Sequence, residues 1–276
     1  FAPSALNGIL SKMRDDDTFG SLREQMQLQG KVNEGAQTAV IILAGGSGER
    51  FGHEGGKQLV EIAGKPILTR SAEVFDSVGD VGLIVVVCPE ERTSEYLLKA
   101  IDPFPFATPI VMAPAGATRQ ESAFAGLELV PDDFEYVMLH DGARPLISRE
   151  LVDHTISVLK GNIDCDGAVV GHPSIDTLKI VDGDNIVETP PRELYWAAQT
   201  PQIFSVDAMK RAHAAAIAEG FIGTDDSSLV ERMGGRVHCV QSPRDNLKVT
   251  VPEDLRPVTA ILLGRMAEGE DLPHVQ

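Results

Sequence analysis

The sequence predicts an α/β protein with a mostly parallel central sheet and a protruding β-hairpin arm. Three observations carry this reading. Short Val/Ile-rich runs alternate with helical patterns from Ala39 onward, as in layered α/β domains. The first of these runs opens directly into a glycine-rich turn. Near residue 173 the alternation breaks at a polar two-stranded pattern around Asp182-Gly183-Asp184.

In chain order, the apolar run from Ala39 to Ala44 reads as a buried strand, followed by a helix from Ile67 to Val78. A strand over Val81 to Cys88 precedes a helix over Glu90 to Ile101, and a strand over Pro109 to Met112 precedes one over Gln120 to Leu129. Tyr136 to His140 and Gly167 to Gly171 are strands on either side of a helix from Ser148 to Leu159. Asp176 to Val181 and Asn185 to Glu188 form the hairpin, too poor in large apolar residues to bury a core of its own and therefore expected to pack on something else. Helices over Val206 to Glu219 and Asp225 to Met233, a strand over Arg236 to Val240 and a helix from Pro252 complete the pattern.

The segment from Phe1 to Thr38 stands apart, polar and rich in Gln, Gly and Asp, with one amphipathic turn at Leu6, Ile9, Leu10 and Met13. Residues 1–38 are therefore expected to be a flexible extension or a docking helix. Residues 39–276 are read as one domain carrying the arm at about 174–195.

With 276 residues and 43% hydrophobic content, the chain can form a sizeable core. A net charge of −17 excludes a nucleic-acid polymer or an anionic membrane as the expected partner and leaves small anions, held in a local basic pocket. Cys88, Cys165 and Cys239 are odd in number and sit in or beside apolar segments, as reduced thiols of a cytoplasmic protein would. No stretch approaches the roughly 20 apolar residues of a membrane span.

The turn Leu43-Ala44-Gly45-Gly46-Ser47-Gly48-Glu49-Arg50, with Lys57-Gln58 beyond it, carries the first chemistry. Glycines let backbone N–H groups approach a phosphate, and basic residues on both sides neutralise it. A P-loop needs Gly-Lys-Ser/Thr at a spacing this turn lacks, and the dinucleotide fingerprint is matched at Gly46 and Gly48 but fails at the third glycine. A loop bearing Arg and Lys suits a free triphosphate better than a dinucleotide, which favours phosphoryl or nucleotidyl transfer. An NAD-dependent oxidoreductase is disfavoured on the same spacing.

Four further segments end strands or close loops. His140-Asp141-Gly142-Ala143-Arg144-Pro145 brings an acid and a base to a strand end, where a plain structural ion pair would look the same. Thr189-Pro190-Pro191-Arg192 leads into Gln199-Thr200-Pro201-Gln202-Ile203-Phe204. Gly223-Thr224-Asp225-Asp226 has the look of a helix N-cap, and capping alone would explain it. Asp245-Asn246-Leu247-Lys248-Val249-Thr250 runs towards an acid-rich helix start.

These segments, with Arg119 to Ser122 and Asp176-Thr177, resemble in this order the IspD-like cytidylyltransferases, most of all those acting on 2-C-methyl-D-erythritol 4-phosphate, over about Ala39 to Met266. The resemblance implies a Rossmann-like nucleotidyltransferase fold and transfer of CMP from CTP to a polyol phosphate, with pyrophosphate released. It further implies that Ala44, Gly45, Gly46 and Gly48, with Gly116, Ala117 and Ser122, bind the nucleotide, and that Asp141 lies near the ribose and the metal. Arg50, Lys57 and Lys248 are the implied catalytic cations; Arg144, Thr177, Arg192 and Thr224 form the polyol-phosphate side.

The chemistry agrees with an independent reading of the residues. A phosphate nucleophile is already ionised, so fixed cations are needed and a general base is not. A Mg²⁺ held mainly by the triphosphate completes the neutralisation, and a homodimer joined through the arm is implied.

Two positions depart from the family's pattern: Gly55-Gly56 stand where many relatives carry proline, which is expected to loosen the loop, and Ala117 replaces an acid, which bears on base selectivity. The alternatives are a ribitol-5-phosphate cytidylyltransferase, whose corresponding segments match less well, and a noncatalytic nucleotide-binding protein, against which the joint presence of Lys57 and Lys248 argues.

Overall fold

The computed structural model describes residues 35–46, 51 and 56–269. The extension at 1–34 and the turn positions Gly48 and Arg50 lie outside the described residues. Among the described residues the elements are β1 (Thr38–Leu43), β2 (Glu61–Ile62), β3 (Lys65–Pro66), α1 (Ile67–Asp76), β4 (Val81–Cys88), α2 (Thr93–Tyr96), β5 (Ile110–Pro114), α3 (Arg119–Leu127) and β6 (Tyr136–Asp141). They continue as α4 (Arg149–Gly161), β7 (Gly167–Pro173), β8 (Ile180–Asp182), β9 (Asn185–Glu188), β10 (Trp196–Ser205), α5 (Val206–Glu219), α6 (Asp226–Arg232), β11 (Val237–Gln241) and α7 (Leu255–Glu268).

The main sheet has seven strands in the order β11-β7-β10-β6-β1-β4-β5. β1 pairs in parallel with β4 and β6, β4 with β5, and β7 with β11, whereas β10 runs antiparallel between β6 and β7. Continuous runs such as Thr38–Leu43 and Val81–Cys88 are buried throughout because both faces of the sheet are covered. Ala39, Ile41 and Leu43 point into one apolar layer with Leu127, Met209 and Leu229 of α3, α5 and α6. Val40 and Ile42 point into the other with Leu68, Phe75, Val152 and Ile156 of α1 and α4. The result is a three-layer sandwich whose strand order reverses direction at β1 and β6.

Most predicted elements appear with their ends moved by one or two residues, and three differ in kind. The stretch Glu90 to Ile101 is not one helix: it is a 3₁₀ turn at Glu90–Arg92, the short α2, and a π-type turn at Leu97–Ile101. The first hairpin strand shortens from Asp176–Val181 to Ile180–Asp182. The helix expected from Pro252 opens with a 3₁₀ turn, Pro252–Asp254, before α7. β10 and the small β2–β3 pair were not anticipated. The hairpin β8–β9 does stand off the body as an arm, pairing only with itself and exposing Ile180, Val181, Ile186 and Val187.

A buried histidine on α5 gives the fold a pH signature. His213 is fully buried against the ring of Phe124, neither ring nitrogen has a hydrogen-bond partner, and burial holds its pKa down at about 4. Its unfolded value lies near 6.5, so as pH falls below that the unfolded chain gains a proton the folded chain refuses, and stability drops by about 1.4 kcal/mol per pH unit. His213→Leu is expected to remove this contribution to the slope, stabilising the protein more at pH 5.5 than at pH 7.5 in urea melts; parallel stability curves for variant and wild type would show that His213 makes none.

Candidate functional site

In an open α/β sheet ligands bind at the carboxyl ends of the strands where the order reverses, and here β1 and β6 end side by side. The Gly142 N–H bonds Leu43 O at 3.0 Å, joining the two emerging loops. The loop after β1 is pressed against the loop after β5, where a Cβ on Gly45 would collide with Ala115, and that second loop is pressed on the helix after it, where a Cβ on Gly116 would collide with Glu121. The buried Tyr96 hydroxyl donates to Ala44 O at 3.2 Å and fixes the start of the turn.

Beyond β5 the chain turns into α3 through a tightly bonded loop. Thr118 caps the helix by accepting the Glu121 N–H at 3.1 Å, and the Glu121 carboxylate accepts the Ala117 N–H at 2.8 Å. Ser122 accepts the Gly116 N–H at 3.1 Å and donates to Thr118 O at 2.9 Å. The structure thus gives the Ser122 hydroxyl to the loop's own backbone.

A cleft of about 300 Å³ opens at the end of β6 beside the middle of β10, lined by Arg119, Asp141, Arg144, Ala198, Gln199, Thr200, Gln202, Thr224, Asp225 and Lys248. Asp141 is its electrostatic centre. Lys248 Nζ lies 2.8 Å from one carboxylate oxygen, Arg144 Nε 3.5 Å from the same oxygen, and Arg119 Nε 3.5 Å from the other. Arg119 also reaches Asp226, at the start of α6, at 2.7 Å.

Burial opposes the Asp141 charge, but Lys248, Arg119 and Arg144 outweigh it and hold the carboxyl well below the usual range. Burial likewise opposes the charge on Arg119, and Asp226 and Asp141 more than compensate. His140, wholly buried behind Asp141, is pushed down to about 3 by burial, so its imidazole is neutral.

Local folding explains why these groups converge. β10 bears a two-residue register shift between Ala198 and Gln202, a bulge that turns Gln199 and Thr200 into the cleft. Asn246 anchors the Lys248 loop by donating to Gln199 Oε1 and Thr200 O, each at 3.0 Å, and its carbonyl accepts Arg144 Nη1 at 2.9 Å. Phe51, Ile62, Leu146, Val249, Val258 and Leu262 form a small third core beneath these loops.

Of the residues singled out from the sequence, the structure brings Asp141, Arg144, Thr224 and Lys248 into one cleft. Lys57 begins a 3₁₀ turn just before β2, outside the cleft lining. Gly56 precedes it with φ +64°, a conformation closed to proline, so the chain enters the Lys57 turn by a path that a proline at 56 would not follow. Thr177 and Arg192 sit on the exposed arm, where Arg192 bonds Ile175 O at 3.0 Å, and neither lines the cleft. Sequence reasoning quoted Arg119, Thr200 and Asn246 within motifs without giving them a role. Their signal was a polar residue held inside a segment that otherwise reads as strand or cap.

A mostly parallel sheet with a cation-lined cleft at its switch point defines an anion-binding α/β protein of Rossmann-like architecture. Comparisons with known proteins narrow the class. A family model described as IspD, 2-C-methyl-D-erythritol 4-phosphate cytidylyltransferase, matches residues 38–264. The enzyme of that name from Caldanaerobacter subterraneus is 39% identical over 218 residues, spanning 79% of this chain and 95% of the relative. The one from Bacillus licheniformis is 40% identical over 225 residues, spanning 81% and 94%. The crystal structure of 4-diphosphocytidyl-2C-methyl-D-erythritol synthase from Anaerococcus prevotii matches with a TM-score of 0.73 at 28% identity, covering 83% of this chain and 99% of that one. The chain belongs to the IspD family of cytidylyltransferases.

No helix among the described residues is long and apolar enough to cross a membrane.

The cleft's charge balance is directly testable. Asp141→Asn keeps the volume and removes the anion shared by Arg119, Arg144 and Lys248. With Lys248 40% exposed and its share screened, a loss of about 2 kcal/mol is expected in urea denaturation at low salt. Stability unchanged by the substitution would mean that the three cations do not depend on Asp141.

Proposed function

We propose that the protein transfers CMP from CTP to 2-C-methyl-D-erythritol 4-phosphate, giving 4-diphosphocytidyl-2-C-methyl-D-erythritol and pyrophosphate. The observation that carries this reading is the convergence of Arg119, Arg144 and Lys248 on one buried carboxylate at the switch point of a family member. In the proposed reaction a phosphate oxygen of the polyol attacks the α-phosphorus of CTP. The new P–O bond forms as the bond to the β-phosphate bridging oxygen breaks, and that electron pair leaves with pyrophosphate. Two anions must meet, so the cost is electrostatic and fixed cations meet it without a general base.

In this reading Lys248, Lys57 and Arg50 surround the α-phosphate, while the turn at Ala44, Gly45, Gly46 and Gly48 and the loop at Gly116 and Ala117 receive the nucleotide. Ser122 keeps that second loop in shape. Arg144 and Thr224, already in the cleft, take the polyol phosphate. Among the described residues no cluster of three or more metal-ligating side chains occurs, and of the two cleft carboxylates, Asp141 and Asp225, Asp141 is the one surrounded by cations. That donor set fits a Mg²⁺ held chiefly by triphosphate oxygens and water, with Asp141 as the protein ligand. Bound there, the ion supplies further neutralisation of the transferring phosphate.

The catalytic unit is residues 39–276, with 1–38 an extension to it, and the family match beginning at residue 38 supports that division. A cytoplasmic location fits the free cysteines.

Pyrophosphate release from CTP, measured against methylerythritol, ribitol and ribulose phosphates, tests the substrate. The methylerythritol compound is expected to give the highest kcat/KM, and a preference for ribitol phosphate would overturn the assignment. In the same assay Lys57→Ala is expected to lower kcat by about 10² to 10³ with an unchanged Tm. A rate near wild type would remove Lys57 from the mechanism.

We also infer a two-fold dimer in which the arm of one chain completes the cleft of its partner, because Thr177 and Arg192 lie outside their own cleft and the arm exposes its apolar side chains. Mixing inactive Lys57→Ala chains with inactive Thr177→Val chains under subunit exchange should restore activity, since one of the two sites then carries neither defect. Verified heterodimers without activity would show that each site is built from a single chain.

A further inference from the structure

His140 is wholly buried and touches no open part of the cleft, yet both of its ring nitrogens have partners. Nε2 lies 3.3 Å from Arg144 O, and Nδ1 lies 3.2 Å from Thr200 Oγ1. The backbone N–H of Asp141 in turn donates to Thr200 Oγ1 at 2.9 Å.

For a neutral ring, donor and acceptor roles assign the protons of this relay. A carbonyl oxygen can only accept, so Nε2 carries the hydrogen. The other nitrogen of a neutral imidazole is then an acceptor, so the Thr200 hydroxyl donates to Nδ1 and uses its oxygen lone pair for the Asp141 N–H. The ring of Phe75, edge-on at 5.0 Å between centroids, fixes the imidazole plane.

We propose that His140 is a positioning residue, whose relay Asp141 N–H to Thr200 O–H to Nδ1, with Nε2–H to Arg144 O, clamps both ends of the loop that carries the cleft's carboxylate and its polyol-phosphate arginine. Two turn positions three residues apart are held from behind by one rigid ring, and the clamp is closed by a residue on the antiparallel strand β10. Asp141 and Arg144 are thereby aimed into the same space with their side chains free for charge pairing. The effect on turnover rests on the proposed role of Arg144. The relay itself does not.

Two measurements separate these. First, NMR of the imidazole nitrogens in backbone-assigned wild-type protein at pH 7.5 should show His140 as the Nε2–H tautomer; a proton on Nδ1 overturns the relay whatever the substrate is. Second, Thr200→Val is nearly isosteric and deletes only the hydroxyl link, and His140→Leu deletes both ends. With the substrate preferred by wild type, each is expected to raise the KM for the polyol phosphate about tenfold, the worth of one hydrogen bond, and to raise the KM for CTP as well, because Asp141 is aimed by the same relay.

The double variant should be no worse than the more damaged single one, because both interrupt one relay. Thr200→Ser, which restores the hydroxyl, should recover most of what Thr200→Val loses. Additive losses, an unchanged KM for the polyol phosphate, or no recovery in Thr200→Ser would overturn the positioning role. If His140→Leu fails to fold, the threonine pair and the tautomer still decide the matter.

Discussion

The candidate site depends on one buried carboxylate. Arg119, Arg144 and Lys248 come from α3, the loop after β6 and the loop after β11, and like charges so placed would repel one another across the cleft. Asp141 gives them a common partner and is itself kept ionised by them, so neither side is stable in the cleft without the other. On the proposed reading, a triphosphate brings several negative charges to cations already assembled. Its cost is then largely that of replacing one anion by another, rather than of gathering flexible side chains.

Assembly from distant segments needs a mechanical basis as well. The third core supplies it: Ile62 follows the Lys57 turn, Leu146 follows Arg144, Val249 follows Lys248, and all meet Val258 and Leu262 around α7. The Val249 N–H bonds Ala143 O at 2.8 Å, and Arg265 of α7 reaches Leu146 O and Asp245, each at 2.8 Å. Each charged residue is therefore one to five positions from an anchored apolar neighbour. That spacing lets a loop hold a precise shape without burying its functional side chain.

How far the sequence could be read follows from the kind of physics each element uses. The strands β1 and β4 were legible because burial on both faces demands an unbroken apolar run, which a single sequence displays. β10 was not. Its first residues, Trp196 to Ala198, are exposed, and its centre is Gln199-Thr200-Pro201-Gln202, so neither alternation nor continuous hydrophobicity marks it. Its identity comes from two flanking strands, which is tertiary information. Likewise Asp141, Arg144 and Lys248 were legible by residue type and position after strands, and the family resemblance gave them roles. The pairing of Arg119 with Asp226 across the fold leaves no mark in one sequence, and neither does the use of Ser122 to prop its own loop.

β10 also links the two parts of the molecule that the composition kept separate. It begins beside the arm at Trp196, bulges where it contributes Gln199 and Thr200 to the cleft, and ends at Ser205, the N-cap of α5. Thr200 is bonded to Asp141 and faces His140, while Gln202 donates to Asp225 at 2.8 Å and accepts the Ser227 N–H at 3.1 Å. At its arm end β10 pairs with β7 alone, through Trp196 to Ala198, and β6 joins it only from Gln202 onward, with the bulge between the two stretches. The bulge holds the hydroxyl that accepts the Asp141 N–H. The polar centre that hid β10 from sequence reasoning is what joins the arm to the charge cluster.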